Sequence, residues 1–296
     1  MIATINLEKH FPVLLNELIS IISPLYGGTF IDCTFGGGGY SNRILIENSN
    51  SVIALDRDIS VKPKAEKYKD KYKNRFKFYN IKFSEIDKIN CKNLKGVIFD
   101  LGYSLNQIYD LKRGLSFKSK GKLDMRMGIN DFSCHDVISK MCQKNLIKIF
   151  KFFGEESYSK PIAKKIVQIR KNRDIHTEDL VNIIENIKIK KNKKNSSTKI
   201  FQSLRIFVNK EITELINGLI NAYNILPIGG IIAVVSFHSI EDKIVKFFFK
   251  EYSEIKNMSR YLPKNKANKK YFELIKKKPI IPTLDEIKKN PPSRSA

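Results

Sequence analysis

The sequence predicts an α/β fold: a parallel, doubly wound sheet interrupted once by an all-helical insertion. Three observations predict it. Short apolar runs alternate with helical stretches up to Asp100 and again beyond residue 226. Four consecutive glycines, Gly36 to Gly39, follow the first such run, where a βαβ unit turns tightly from strand to helix. Between about 104 and 205 no run reads as a strand, only a glycine-containing loop and several helices.

Residues 11–23 repeat apolar side chains at helical spacing and should cover one sheet face. Strand one spans 29–35 and strand two 51–56, ending on Asp56. Strand three covers roughly 75–80, and strand four runs from Gly96 to end on Asp100. The helix between strands two and three carries a basic face of Lys62, Lys64, Lys67, Lys69, Lys71 and Lys73. In the insertion, Ser133 caps a helix running to Phe153, where Gly154 stops it. Helices follow at about 158–172 and 177–189, the second with Thr177 as its N-cap. The basic run from Lys188 to Lys194 leads into a loop at Asn195-Ser196-Ser197. A helix at 207–226 precedes strand five, 229–235, so the sheet domain is 1–103 with 206–296 and the inserted, substrate-recognising domain is 104–205.

The 296 residues suffice for a buried core, and 42% apolar content excludes wholesale disorder. The net charge of +24 favours a polyanionic partner, above all nucleic acid. Part of that charge reflects a composition saturated with Lys, Asn and Ile. Cys33, Cys91, Cys134 and Cys142 lack C-x-x-C pairing and zinc-like histidine spacing, so they read as reduced structural thiols and no metal is expected. No apolar run reaches the ~18 residues of a membrane span, and no N-terminal signal pattern is present. A soluble, cytoplasmic protein without a membrane partner is expected.

In open α/β sheets, ligands lie at the carboxyl ends of the strands. Those ends present Gly36–Gly39, Asp56, Phe83, Asp100 to Ser104, and Ser236-Phe237-His238-Ser239. A glycine turn followed by a carboxylate twenty residues on reads as a nucleoside site, with Asp56 accepting from ribose hydroxyls. A dinucleotide fingerprint would need a third glycine where Ser41 or Asn42 stands, so S-adenosylmethionine fits better than NAD. Phe83 is placed to stack on a purine, or equally to serve as a core aromatic. Asp100-Leu101-Gly102-Tyr103 occupies the position where amino-methyltransferases hold an amine. The lone pair of an exocyclic amine is delocalised into the base, and an acceptor for its hydrogens can localise and aim it. Asp100 is the catalytic candidate; Tyr103 is either a stacking residue or a loop aromatic. His238 is a site residue or a structural one, with no role assigned.

Five segments resemble the bacterial small-subunit ribosomal RNA cytosine-N4 methyltransferase family, the MraW or RsmH type. They are His10 to Leu15, Thr34 to Gly39, Leu123-Asp124-Met125-Arg126-Met127, Phe201 to Asn209, and Ser236 to Asp242, in the family's order across nearly the whole chain. Arg113-Gly114 through Phe117 and Asn290-Pro291 through Ser295 fit as well. The resemblance implies a class I S-adenosylmethionine-dependent methyltransferase sheet with an inserted helical domain. It implies methyl transfer to the N4 amine of a decoding-region cytidine, with the small-subunit RNA or the 30S subunit as partner; a homodimer is left open. Cofactor contacts carried over by position fall on Gly38, Gly39, Tyr40, Asp56, Phe83, Asp100 and Gln107. Asp124, Arg126 and Ser236 are the substrate-side candidates, with an interdomain ion pair as the other reading of Asp124 and Arg126.

Three departures from the pattern stand out. Tyr40 replaces the usual His, Tyr103-Ser104-Leu105-Asn106 differs from Val-Ser-Ser-Pro, and the chain stops at Ala296, where relatives usually add a strand. The last predicts an exposed sheet edge. Two other functions compete: a DNA amino-methyltransferase, and an RNA-binding ribosome-assembly factor that has lost turnover. The lysine-rich segments 62–77, 188–199 and 264–278 are RNA-contact candidates.

Overall fold

The computed structural model describes residues 12–22, 27–119, 121–188, 197–253, 271–276 and 278–296. Most of the lysine-rich segments at 188–199 and 264–278 therefore lies outside the described residues, as do His10 and Phe11.

Strands β1 (Gly28–Asp32), β2 (Asn50–Leu55), β3 (Phe76–Tyr79), β4 (Leu94–Asp100) and β5 (Ile231–Val235) form one sheet in the order β3-β2-β1-β4-β5. All pairings are parallel. The order reverses between β1 and β4, which puts the topological switch point beside the glycine loop. Strand β1 is shorter than the sequence predicts. Beyond Asp32 the chain leaves the regular ladder, and the Phe35 N–H bonds the Leu55 carbonyl as the loop opens.

Alternation along the strands feeds two cores. Phe30, Val52, Ala54 and Ile98 pack with α1 (Leu15–Ile22), α2 (Gly39–Leu45) and α3 (Lys62–Tyr72) on one face. Their neighbours Ile31, Ile53, Val97 and Phe99 pack on the other face with α10 (Glu211–Ile225) and α11 (Ser239–Ser253). Burying each such side chain contributes about 1.5–3 kcal/mol, so the two-sided alternation is what holds the strand ends in place. Among the described residues β5 is an edge strand, only its last residue fully buried.

The stretch from Leu115 to Val208 has a core of its own. It is built from α5 (Cys134–Lys140), α6 (Gln143–Gly154), α7 (Ser159–Ile169), α8 (Thr177–Ile187) and α9 (Thr198–Val208), after a short α4 (Leu105–Tyr109). Two expected helices are broken. The one read as 133–153 stops at Lys140 because Met141 and Cys142 are extended, and Arg170 caps the freed carbonyls of Ile138 and Met141, both at 2.6 Å. The one read as 207–226 is divided between α9 and α10: the Asn209 side chain bonds the Arg205 carbonyl, and Lys210 turns the corner at φ 51°. The cap of α8 is His176; Thr177 instead donates its hydroxyl to the Gly121 carbonyl.

Candidate active site

The carboxyl ends of the strands open on a cleft of about 710 Å³, walled by the insertion on one side and by Pro12, Val13 and the tail Asn290–Ser295 on another. The tail is held by α12 (Leu284–Lys289), where Glu286 Oε1 accepts from the Leu14 N–H at 2.8 Å.

The glycine loop divides its labour. Gly38 (φ 72°) is the N-cap of α2, and a Cβ there would lie 2.8 Å from the Tyr68 ring; one on Gly39 would meet Pro12 at 2.0 Å. These two glycines permit packing within the protein, and Gly38 is not on the cleft wall, while Gly39 is. Gly36 (φ 45°) and Gly37 meet nothing nearer than 3.8 Å and line the cleft, so their backbone is what a ligand can approach. Neighbour-level sequence reading cannot separate the pairs, because Pro12 and Tyr68 decide. Tyr40 lines the cleft too, but its buried hydroxyl donates to the Val13 carbonyl.

Asp56, at the end of β2, ties the glycine loop down: Oδ2 accepts from the Gly36 N–H and Oδ1 from the Asp58 N–H, both at 2.8 Å. Burial lifts its pKa to about 6 against those two bonds. Phe83 borders the cleft with an edge-to-face contact to Phe99 at 5.5 Å, and a Cβ on Gly218 of α10 would lie 2.6 Å from its ring.

Asp100, like Arg57 and His238 in the same cleft wall, has a buried polar atom without a partner, and it is the only carboxylate among the three. Its backbone N–H donates to Thr34 Oγ1 at 2.9 Å, but its buried Oδ1 has no hydrogen-bond partner. Burial lifts its pKa to about 8, with the charges of Asp32 and Glu241 adding to the rise. Asp32, a group the sequence reading did not single out, lies fully buried behind the loop and accepts from the Ser41 hydroxyl (2.6 Å) and the Thr34 N–H (3.2 Å). After Asp100 the chain turns at Gly102 (φ 97°) and sets the Tyr103 ring 4.8 Å from the Arg205 guanidinium. Gln107 lines the cleft with its amide already engaged: Oε1 accepts from the Ser104 N–H, and Nε2 donates to Asp58 Oδ2 at 2.8 Å.

At the end of β5, Phe237 and His238 face the cleft and Ser236 does not. His238 Nδ1 accepts from the Glu241 N–H (3.3 Å), and Nε2 lies 3.1 Å from Glu241 Oε1 without hydrogen-bond alignment. Burial pushes the Glu241 carboxyl up, but His238, the Phe237 N–H and the Arg205 charge more than offset it, and its pKa falls. Glu211, His238 and Glu241 bring potential ligand atoms within 4.8 Å of one another. Both Glu211 oxygens, however, accept from Arg205 at 2.9 Å, so the guanidinium already supplies the positive charge this cluster calls for.

Asp124 and Arg126 stand apart from the cleft. They form a two-bonded ion pair with each other (2.6 and 3.0 Å), while Met125 and Met127 between and after them line the cavity. The seam between insertion and sheet is made elsewhere. Arg113 donates to both oxygens of Asp58 (2.6 and 3.1 Å). Arg57 donates to the carbonyls of Asn209 (2.9 Å) and Ile129 (2.8 Å), and buried Asn209 bonds Met125 and Met127 backbone atoms at 2.8 Å.

A parallel sheet with an open glycine turn and strand-end carboxylates at its switch point defines an α/β protein with a ligand-sized cleft at the place where open sheets of this kind bind ligands. Sequence comparison adds the family: the chain belongs to the MraW methylase family, whose model matches residues 7–296. It is 41% identical to the Ribosomal RNA small subunit methyltransferase H of Rickettsia bellii over 295 residues, 98% of this chain and 97% of that protein. The protein of the same name from Rickettsia prowazekii is 40% identical, with 98% and 96% covered. The one from Bartonella tribocorum is also 40% identical, with 98% and 88% covered.

Proposed function

We propose that the protein transfers a methyl group from S-adenosylmethionine to the N4 amine of a cytidine in the decoding region of small-subunit ribosomal RNA, in the cytoplasm. The relatives' names support the reaction class and the RNA. One observation carries the atom-level reading: Asp100, at the end of β4, lines the cleft and has a buried carboxylate oxygen, Oδ1, without a hydrogen-bond partner. An exocyclic amine is a donor of the right kind for it.

The residues present fit the cofactor. The open backbone of Gly36 and Gly37 can lie against it, Asp56 keeps lone pairs for ribose hydroxyls, and Phe83 offers an apolar wall for a purine. When bound, S-adenosylmethionine supplies an electrophilic methyl group on a cationic sulfur. That positive charge also favours ionised Asp100, whose carboxylate then accepts a hydrogen bond from the N4 amine, aims its lone pair and can take the proton the amine sheds. Gly39, Tyr40 and Gln107 shape the walls. The net charge of +24 and the lysines of α3 supply attraction to RNA, with Asp124, Arg126 and Ser236 as outer candidates for RNA contact.

Small ribosomal subunits lacking the modification, incubated with labelled S-adenosylmethionine and digested to nucleosides, test this directly. N4-methylated cytidine is the expected product. Binding of cofactor and subunit without transfer would turn the reading to an assembly factor.

A further inference from the structure

Past Asp100 the cleft continues between the sheet and the insertion, where Tyr103, Arg205, Phe117, Phe201, Glu211 and His238 line it. We propose that this compartment receives the target cytosine drawn out of its RNA stack, that the Tyr103 ring is the platform on which the base lies, and that Arg205 is the positioning residue that holds the platform. The proposal rests on the methyl-transfer reading above and deepens it by naming the base site.

Tyr103 lies three residues beyond Asp100 and is 44% exposed in the cleft wall, so its ring is accessible to a ligand there. Its backing is rigid. The Arg205 guanidinium sits 4.8 Å from the ring centre, is buried, and is clamped by two 2.9 Å bonds to Glu211, with Glu241 adding negative charge behind it. A guanidinium shielded from water in this way strengthens its hold on an aromatic ring.

A base leaving its stack loses contacts that an aromatic face can replace, at about 1–3 kcal/mol per stacked base. Cytosine is neutral and planar, so it suits a ring whose cationic partner is already on its other side. A base on that platform would share the cleft with Asp100, three residues earlier in the chain, whose Oδ1 has no hydrogen-bond partner. The same carboxylates do not make a cation site, because Arg205 occupies Glu211 on both oxygens.

The test compares wild-type protein with Tyr103→Leu, Tyr103→Phe and Arg205→Lys. It measures kcat and KM for unmodified small subunits and, separately, the Kd for S-adenosylmethionine by calorimetry. Tyr103→Leu should lower kcat/KM for the subunit roughly tenfold to a hundredfold, the equivalent of one lost stacking contact, and leave cofactor Kd within about twofold. Tyr103→Phe, which keeps the ring, should recover most of the loss. Arg205→Lys should fall between, and combined with Tyr103→Leu it should add little, since both act on one contact. Wild-type efficiency in Tyr103→Leu overturns the platform; so does an equal loss of cofactor affinity, which would make Tyr103 a cofactor wall. If wild-type protein transfers no methyl group at all, the underlying reading falls, and the platform with it.

Discussion

Asp58, buried in the seam beneath Arg113, and Asp100, in the cleft wall, are treated oppositely by their surroundings. Asp58 accepts two bonds from Arg113, one from Gln107 and one from the Ser60 N–H. Burial pushes its carboxyl up, but those donors more than offset it, and its pKa lies below the ordinary value. Asp100 has an unpaired oxygen, two negative neighbours and a pKa raised to about 8. The first arrangement closes a seam; the second leaves a cost of about 1–3 kcal/mol that a donor entering the cleft can relieve. Asp58, which closes the seam, is saturated, and Asp100, the carboxylate read as catalytic, is not.

The largest test of that contrast is Asp100→Ala. It should lower kcat by about 10²–10³ while weakening cofactor binding far less. A variant as active as wild type would break the comparison. Next is Arg113→Ala, which strands a charged, buried Asp58 and should destabilise the protein by about 2–3 kcal/mol in urea unfolding without abolishing transfer.

The pH dependence follows from the same pair. The ionised form of Asp100 is the useful one, so kcat/KM should rise with pH and level off above about pH 8, and Asp100→Asn should erase that limb. Stability runs the other way. A carboxyl whose pKa is higher folded than unfolded binds more protons when folded, so its contribution is complete below about pH 4 and lost as pH rises through about 8. Asp100→Asn should therefore raise Tm at pH 8 by a few degrees, measured without cofactor. Asp56→Ala should raise the cofactor Kd by about tenfold, the size of one hydrogen bond to a charged group. Smallest is Arg126→Ala. An exposed pair is worth less than about 1 kcal/mol, so stability should barely move. A severalfold rise in KM for small subunits would place Arg126 on the RNA side, and an unchanged KM would remove it.

Much of this was legible before any coordinates. The sheet, the glycine turn and the strand-end acids Asp56 and Asp100 follow from patterns contained within a few residues: alternation along a strand, a run of glycines, a carboxylate where an apolar run stops. What could not be read depends on partners distant in the chain. Arg57 meets Asn209, and Arg113 meets Asp58, only because the insertion folds back on the strand ends. Asp124 and Arg126 read in sequence as substrate-side residues or as an interdomain ion pair, and in the fold they bond each other. The break at Met141 needs Arg170 to cap it, and the open glycines are Gly36 and Gly37 because Pro12 and Tyr68 fill the space beside the other two. The sequence by itself determined the strand order's raw materials and the chemistry at the strand ends, since those rest on local sterics and periodicity. Tertiary structure alone decided which polar groups are satisfied, because desolvation and hydrogen-bond partnership depend on segments that only folding brings together.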